Sequence, residues 1–252
     1  MIEIINLCKT FNGHQVLNNL NLNIKKGQTQ VIIGCSGCGK SVLLKHIVGL
    51  LKPDSGQVII DNQDVTRMNE AELNGLRLKI SMLFQGAALF DSLNVGENVG
   101  FTLREHSDLA ETAIAQRVRE SLELVGLEGI EGLMPAELSG GMKKRVALAR
   151  AICARPDIIL YDEPTTGIDP VMAGAINTMI RQLHDKLQVT SIAVTHDLVS
   201  AYTIADRISM LCYGRIIETG TPEQIKASKN PIVHQFITGA AVGPITEEQK
   251  VC

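Results

Sequence analysis

Polar and apolar positions alternate most clearly at Leu20, Leu22 and Ile24, which are separated by Asn21 and Asn23 and followed by Lys25. A period of two puts alternate side chains on opposite faces. This stretch therefore predicts a half-buried antiparallel strand that ends at the Lys26-Gly27 turn, within a small β-region at the start of the chain. Short runs that are apolar throughout come next: Val31-Ile32-Ile33, Ile80 to Phe84, Ile158 to Tyr161 and Ile192-Ala193-Val194. Separated by helical stretches, they predict a parallel sheet covered on both faces, an α/β layout. Between Gln85 and Leu138 the strand pattern stops, and Ile114, Val118, Leu122 and Val125 recur at helical spacing, which predicts a helical insertion. Ile208 to Leu211, then Tyr213-Gly214-Arg215 and Ile216-Ile217, predict a hairpin. From Pro222 the pattern reads as helical and then irregular.

The chain has 252 residues, a length that α/β folds fill as one core with an inserted subdomain. Its net charge of −3 gives no overall basic field, which argues against a nucleic-acid binder held by phosphate contacts. Lys45 and His46 interrupt the richest apolar stretch, Val42 to Leu51, so it falls short of the roughly 18 to 20 residues that span a bilayer. Met1-Ile2-Glu3-Ile4 lacks the basic start and apolar run of a secretory signal, and the expectation is a cytoplasmic protein whose six cysteines are reduced.

Gly34-Cys35-Ser36-Gly37-Cys38-Gly39-Lys40-Ser41 fits G-x-x-x-x-G-K-[ST], directly after one apolar run and directly before the apolar stretch from Val42. The glycines let the backbone curl so that successive N–H groups point inward, and the helix N-terminus adds partial positive charge where phosphate oxygens sit. In this pattern Lys40 reaches the β- and γ-phosphates and the Ser41 hydroxyl serves Mg²⁺. Cys35 and Cys38 also form a C-x-x-C, but the spacing is already explained by the phosphate loop and no second pair lies nearby in sequence. At a helix N-terminus the expectation is a lowered thiol pKa and raised reactivity, with ATP shielding both thiols.

The run Ile158-Ile159-Leu160-Tyr161 leads into Asp162 and Glu163, and ligands bind at the carboxyl ends of strands in α/β sheets. Asp162 is suited to hold Mg²⁺ through water, and Glu163 is placed to orient or deprotonate an attacking water. A strand followed by two acids is a weak sign alone; beside a phosphate loop it becomes a strong one.

Leu138-Ser139-Gly140-Gly141-Met142, ahead of Lys143, Lys144 and Arg145, resembles the LSGGQ signature of ABC ATPases, with Met142 where glutamine is usual. The resemblance implies the P-loop ABC nucleotide-binding fold, with an antiparallel β-subdomain and a helical subdomain at about 86–137 in a domain spanning 1–245, followed by a short tail at 246–252. It also implies ATP and Mg²⁺ as ligands and a head-to-tail dimer, in which Ser139, Gly140 and Gly141 of one copy face the nucleotide on the phosphate loop of the other. The remaining family elements occur in order along almost the whole chain. Gln85 is expected to end a strand and matches the Q-loop, which contacts Mg²⁺ and the water and senses a permease; Asp169, in Thr166-Gly167-Ile168-Asp169, matches the D-loop at the dimer interface. His196 matches the switch histidine that holds the γ-phosphate. Phe11 occupies the site of the adenine-stacking aromatic, where tyrosine is common.

A narrower resemblance rests on Phe84 to Phe90, Asn94-Val95, Leu103-Arg104-Glu105-His106, Val233-His234-Gln235-Phe236 and Gly243-Pro244-Ile245. These are similar to the ATPases of the Mla lipid transporters, whose permeases belong to the Mce-associated group. That resemblance implies phospholipid trafficking between inner and outer membranes, an integral permease, Mce-domain and small soluble accessory partners, and a place on the cytoplasmic face of the inner membrane. A soluble ABC ATPase of the Fe–S cluster assembly type, also a lone cassette, is the alternative.

Overall fold

The computed structural model describes residues 1–248, and the chain divides into two compact units. One unit is Met1–Leu73 with Ile192–Cys252; the other is Asn74–Ser191. Residues 249–252, the end of the expected tail, lie outside the described residues.

The first unit opens with β1 (Ile2–Phe11) and β2 (His14–Ile24), an antiparallel pair joined by Asn12-Gly13. Both turn residues have positive φ, 49° and 82°, as a two-residue hairpin turn matched to strand twist requires. Leu20, Leu22 and Ile24 are buried and Asn21 and Asn23 exposed, so the period-two reading matches the observed faces. β4 (Ser55–Ile60) pairs with β1 and β5 (Gln63–Asp64) with β4, giving the antiparallel order β2-β1-β4-β5.

A second sheet in this unit has the order β10-β9-β3-β8. It is built from β3 (Thr29–Ile33), the later part of β8 (Thr190–Thr195), β9 (Arg207–Cys212) and β10 (Arg215–Gly220). β3 pairs in parallel with β9, while β9 and β10 form the predicted hairpin. Every residue of β3 and β8 is buried, which is why these runs lack alternation. Helices α1 (Lys40–Ile47) and α7 (Leu198–Ile204) follow β3 and β8.

After β10, the segment from Pro222 is helical as expected, forming α8 (Pro222–Lys226) and α9 (Pro231–Thr238), and where it was expected to become irregular it folds a further helix, α10 (Pro244–Glu248). Proline, which has no N–H, stands at the first position, where an N–H would find no helical partner, and its ring pre-sets φ; Thr221 and Asn230 cap the first two of these helices. Tyr213 donates its hydroxyl to the Pro244 carbonyl at 3.1 Å, and Gln235 accepts from the Ile245 N–H at 2.8 Å, pinning the start of α10.

The second unit begins within α2 (Glu70–Arg77) and contains β6 (Ile80–Leu83), α3 (Val95–His106), α4 (Glu111–Leu124), α5 (Gly140–Cys153), β7 (Ile158–Asp162) and α6 (Pro170–Leu187). β6 and β7 pair in parallel. Ile114, Val118 and Leu122 are buried along α4, and Val125 is buried at its C-cap. Burial of each is worth about 1.5–3 kcal/mol relative to exposure. α3, α4 and α5 pack on one another, so the helical cluster continues past residue 137 into α5. Among the described residues no helix is long and apolar enough to cross a membrane.

Candidate functional site

In the first unit the loop 34–39 leaves the buried end of β3 and turns into α1. Gly37 and Gly39 have φ of 79° and 102°, which side chains rarely adopt, and a Cβ on Gly39 would lie 3.0 Å from the side chains of Val16 and Leu17. Lys40 is only 7% exposed, and its Nζ donates to the carbonyls of Gly34 (2.8 Å) and Cys35 (2.9 Å). The ammonium is thus held inside the loop it serves, while Ser36 and Gly37 form the exposed tip. Ser41 and Val42 follow on the first turn of α1, both half-buried.

Cys35 and Cys38 line a cavity of about 340 Å³ with Ser36, Gly37, Val16 and Tyr213. The expected lowering of their thiol pKa is corrected: burial pushes both above the ordinary value, and the nearby Lys40 ammonium offsets this only partly. Desolvation outweighs the field of the helix start. All five described cysteines are free thiols.

Phe11 closes β1 with its ring 39% exposed, and the Lys9 ammonium stands 5.4 Å from the ring centroid. Lys9 is itself held by Asp54 at 2.9 Å and by the Lys52 carbonyl at 3.0 Å. The hydrogen bond from Lys9, with a further one from the Thr10 N–H, holds the Asp54 carboxyl below the usual carboxylate range. His196 is exposed immediately after β8. Beside it Asp197 caps α7 by accepting from the N–H groups of Val199 and Ser200, while its own N–H donates to Thr195 Oγ1 at 3.0 Å.

In the second unit β7 is buried until its last residue, so Asp162 is the first polar group to emerge, half-buried. Glu163 has φ of 50°, a conformation unfavourable for a residue with a Cβ; Thr166 restrains it by donating its hydroxyl to Glu163 Oε2 at 3.2 Å and its N–H to the Glu163 carbonyl. Asp169 caps α6, accepting from Val171 and Met172 N–H at 3.0 Å each.

Ser139 caps α5 by accepting from the Met142 N–H at 3.2 Å, leaving Gly140 open to solvent. A Cβ on Gly141 would meet Met172 Cε at 2.6 Å, so the signature segment and the start of α6 lie against each other. Gln85 does not end a strand as expected: β6 stops at Leu83, and Gln85 sits in the following turn, where its carbonyl accepts from Lys144 Nζ. Arg150 donates to the Ala87 and Ala88 carbonyls at 2.8 Å. The sequence pattern did not single out Lys144, Arg150 or Lys9. The available sign was a cation on an otherwise apolar face of α5, where Lys144 precedes Val146, Ala147 and Leu148 and is buried with them.

The two units therefore carry two sets of groups: a phosphate-loop lysine with an exposed aromatic and a histidine, and a carboxylate pair with a serine-capped glycine segment and a glutamine turn. A family model described as ABC transporter matches residues 17–166. The chain is 44% identical to the intermembrane phospholipid transport system ATP-binding protein MlaF of Haemophilus influenzae, over 97% of this chain and 93% of that protein. MlaF of Escherichia coli strain K12 is 38% identical, with 97% and 91% covered. The probable ribonucleotide transport ATP-binding protein mkl of Mycobacterium tuberculosis is 41% identical, but only 68% of its length is covered. Among solved structures, the dimeric ATP-binding cassette MJ0796, bound to ADP and Pi in a post-hydrolysis state, matches with a TM-score of 0.81 and 34% identity, covering 88% of this chain and 99% of that one. The structure of cbiO1 from Clostridium perfringens, part of the ABC transporter complex cbiONQ, matches with a TM-score of 0.83 and 30% identity, covering 95% of each chain.

Proposed function

Because the chain belongs to the ABC transporter ATP-binding family, we propose that it hydrolyses Mg-ATP to drive phospholipid movement through a membrane permease. The observation that carries the lipid assignment is its identity to two phospholipid-transport ATPases over nearly their whole length. The mycobacterial relatives named for ribonucleotide transport extend well beyond the matched region, so the full-length relatives set the reading.

In this proposal Lys40 exchanges the Gly34 and Cys35 carbonyls for β- and γ-phosphate oxygens, and the amides of Gly34 to Ser41 and Val42 cradle the same groups. Phe11 stacks on adenine through its exposed ring. The Glu163 carboxylate orients a water and accepts its proton as the oxygen attacks the γ-phosphorus; the bond to the bridging oxygen breaks and ADP leaves. His196 holds the γ-phosphate. The Ser41 hydroxyl, Gln85 amide and Asp162 carboxylate are hard oxygen donors of the kind Mg²⁺ takes, and the ion supplies charge neutralisation between the β- and γ-phosphates.

Ser139, Gly140 and Gly141 of one copy engage the nucleotide of a second copy, with Asp169 across that interface. This rests on the exposed, serine-capped start of α5, whose N–H groups and dipole favour phosphate. The permease contacts the region of Gln85 and the helical cluster, with Mce-domain and small soluble subunits completing the assembly at the cytoplasmic face of the inner membrane.

The test is a Glu163→Gln chain, which binds nucleotide within about twofold of the parent while hydrolysis falls by a factor on the order of 10² or more. Full turnover in that variant refutes the role. Purification from detergent-solubilised membranes separates the transport readings: a multi-span partner with co-purified phospholipid supports the lipid assignment, and recovery of soluble partners alone favours the Fe–S assembly type.

A further inference from the structure

The segment between β6 and α3 is fixed by side chains that reach its backbone from two helices. From α5, Lys144 Nζ donates to the Gln85 carbonyl, and Arg150 donates through both terminal nitrogens to Ala87 and Ala88. Ala87 and Ala88 have φ of 63° and 49°. Two successive non-glycine residues in that region persist only where the surroundings hold them, and three donated hydrogen bonds are such a hold.

Lys144 is the unusual member of this set. It is 6% exposed, one turn into α5 from the Ser139 cap, and a lysine is almost never buried so deeply without partners. Burial drives the pKa of its ammonium down, and the charge of Glu163 pulls it back up. The cation is thus hydrogen-bonded to the backbone of Gln85 and lies within the field of the Glu163 carboxylate. The two residues assigned to the attacking water share one buried positive charge, which is carried by the signature helix.

We propose that Lys144 is a positioning residue for ATP hydrolysis, setting Gln85 in register with Glu163 and tying both to α5. The proposal rests on the reading of Gln85 and Glu163 as the groups that order the water. A point charge with three donors suits the task because it can bind one carbonyl and still attract a carboxylate. Displacement of a reacting group by about 1 Å can cost a factor on the order of 10² in rate, so loss of this cation acts on turnover rather than on nucleotide affinity.

The test uses the full chain, with steady-state ATPase assays, the Kd of a fluorescent ATP analogue and thermal melting. Lys144→Met lowers kcat about tenfold or more with Kd within about twofold, and Lys144→Arg restores most of the loss. In a Gln85→Ala background, Lys144→Met lowers kcat by less than about twofold further, because both changes remove one unit. Lys144→Gln, which keeps a donor without the charge, carries the same test where the methionine variant fails to fold. Normal kcat in Lys144→Met with an impaired Gln85→Ala overturns the proposal alone. A parallel fall of kcat, nucleotide affinity and melting temperature overturns it in favour of simple scaffolding, as do losses that multiply in the double variant. Full turnover in Gln85→Ala overturns the underlying reading of Gln85.

Discussion

Asn98 is fully buried on α3, and its amide closes a ring of hydrogen bonds around residues 90–94. Its Oδ1 accepts from the Phe90 N–H at 2.8 Å, and its Nδ2 donates to the carbonyls of Phe90 (3.0 Å), Leu93 (2.9 Å) and Asn94 (3.0 Å). Two amide hydrogens serve three carbonyls, so the set counts as about three full bonds. Each is worth about 0.5–1.5 kcal/mol net. Asn98→Leu keeps the volume but strands the Phe90 N–H and the carbonyls, and a loss of about 2–4 kcal/mol is expected. For a chain of this size that lowers Tm by about 4–16 °C. Thermal unfolding followed by circular dichroism measures it. Asn98→Asp retains the acceptor but turns a carboxylate toward three carbonyls, and it is expected to be at least as destabilising. A Tm within about 2 °C of the parent for both variants refutes the claim that this amide organises the loop.

Three other outcomes follow from separate parts of the molecule. A Cβ on Gly34 would sit 2.2 Å from the backbone carbonyl of Leu211 and 2.8 Å from Cys38 Sγ; Gly34→Ala is therefore expected to cost about 1–3 kcal/mol and to weaken nucleotide binding, and an unchanged melt and Kd would contradict the packing. His46 is 1% exposed, with Nδ1 on the Val42 carbonyl and Nε2 without a hydrogen-bond partner. Burial holds its pKa below 6.5; the Val42 bond and Asp54 oppose the shift and Lys9 adds to it. Above pH 6.5 both folded and unfolded states are neutral at this residue, and as pH falls below 6.5 the unfolded state binds the proton first, so stability declines on the acid side. His46→Phe flattens that decline in melts run from pH 7.5 to 5, and an identical slope in parent and variant rules the histidine out. Because burial raises the thiol pKa of Cys35 and Cys38, iodoacetamide at pH 7.5 is expected to label them more slowly than free N-acetylcysteine, with the rate rising in alkaline buffer and falling when Mg-ATP is bound. Equal rates with and without Mg-ATP, read by mass spectrometry, would exclude nucleotide over these thiols.

What was legible in the sequence divides along a physical line. Runs whose side chains all face the interior, such as Val31 to Ile33 and Ile192 to Val194, carry their burial in their composition, and the helical spacing of Ile114, Val118 and Leu122 carries a face. β1 was harder to see because its bulges break the alternation between Ile4 and Thr10. Only the end of the tail was misjudged, because a five-residue helix such as α10 is too short to show a period. The thiol shift went the other way because a motif gives the sign of a local field and says nothing of how deeply the loop is buried.

The candidate site divides in the same way. Lys40, Asp162 and Glu163 could be proposed from the sequence because their chemistry resides in the side-chain type and in the spacing to neighbouring elements, and His196 could be proposed from the family resemblance. Lys144, Arg150 and Asn98 instead act on main-chain carbonyls of residues 85–94, and a carbonyl leaves no trace in residue identity. Their partners are 4 to 63 positions away in sequence, so no short motif could contain most of them. The segment they fix includes Gln85 at its start and the Phe90–Phe101 ring contact, at 4.8 Å, near its end. A turn held at both ends by buried donors cannot yield at one residue without changing the hydrogen bonds of α3 or α5. A load applied at Gln85 is therefore expected to reach the serine-capped start of α5, where the nucleotide of a second copy is proposed to bind.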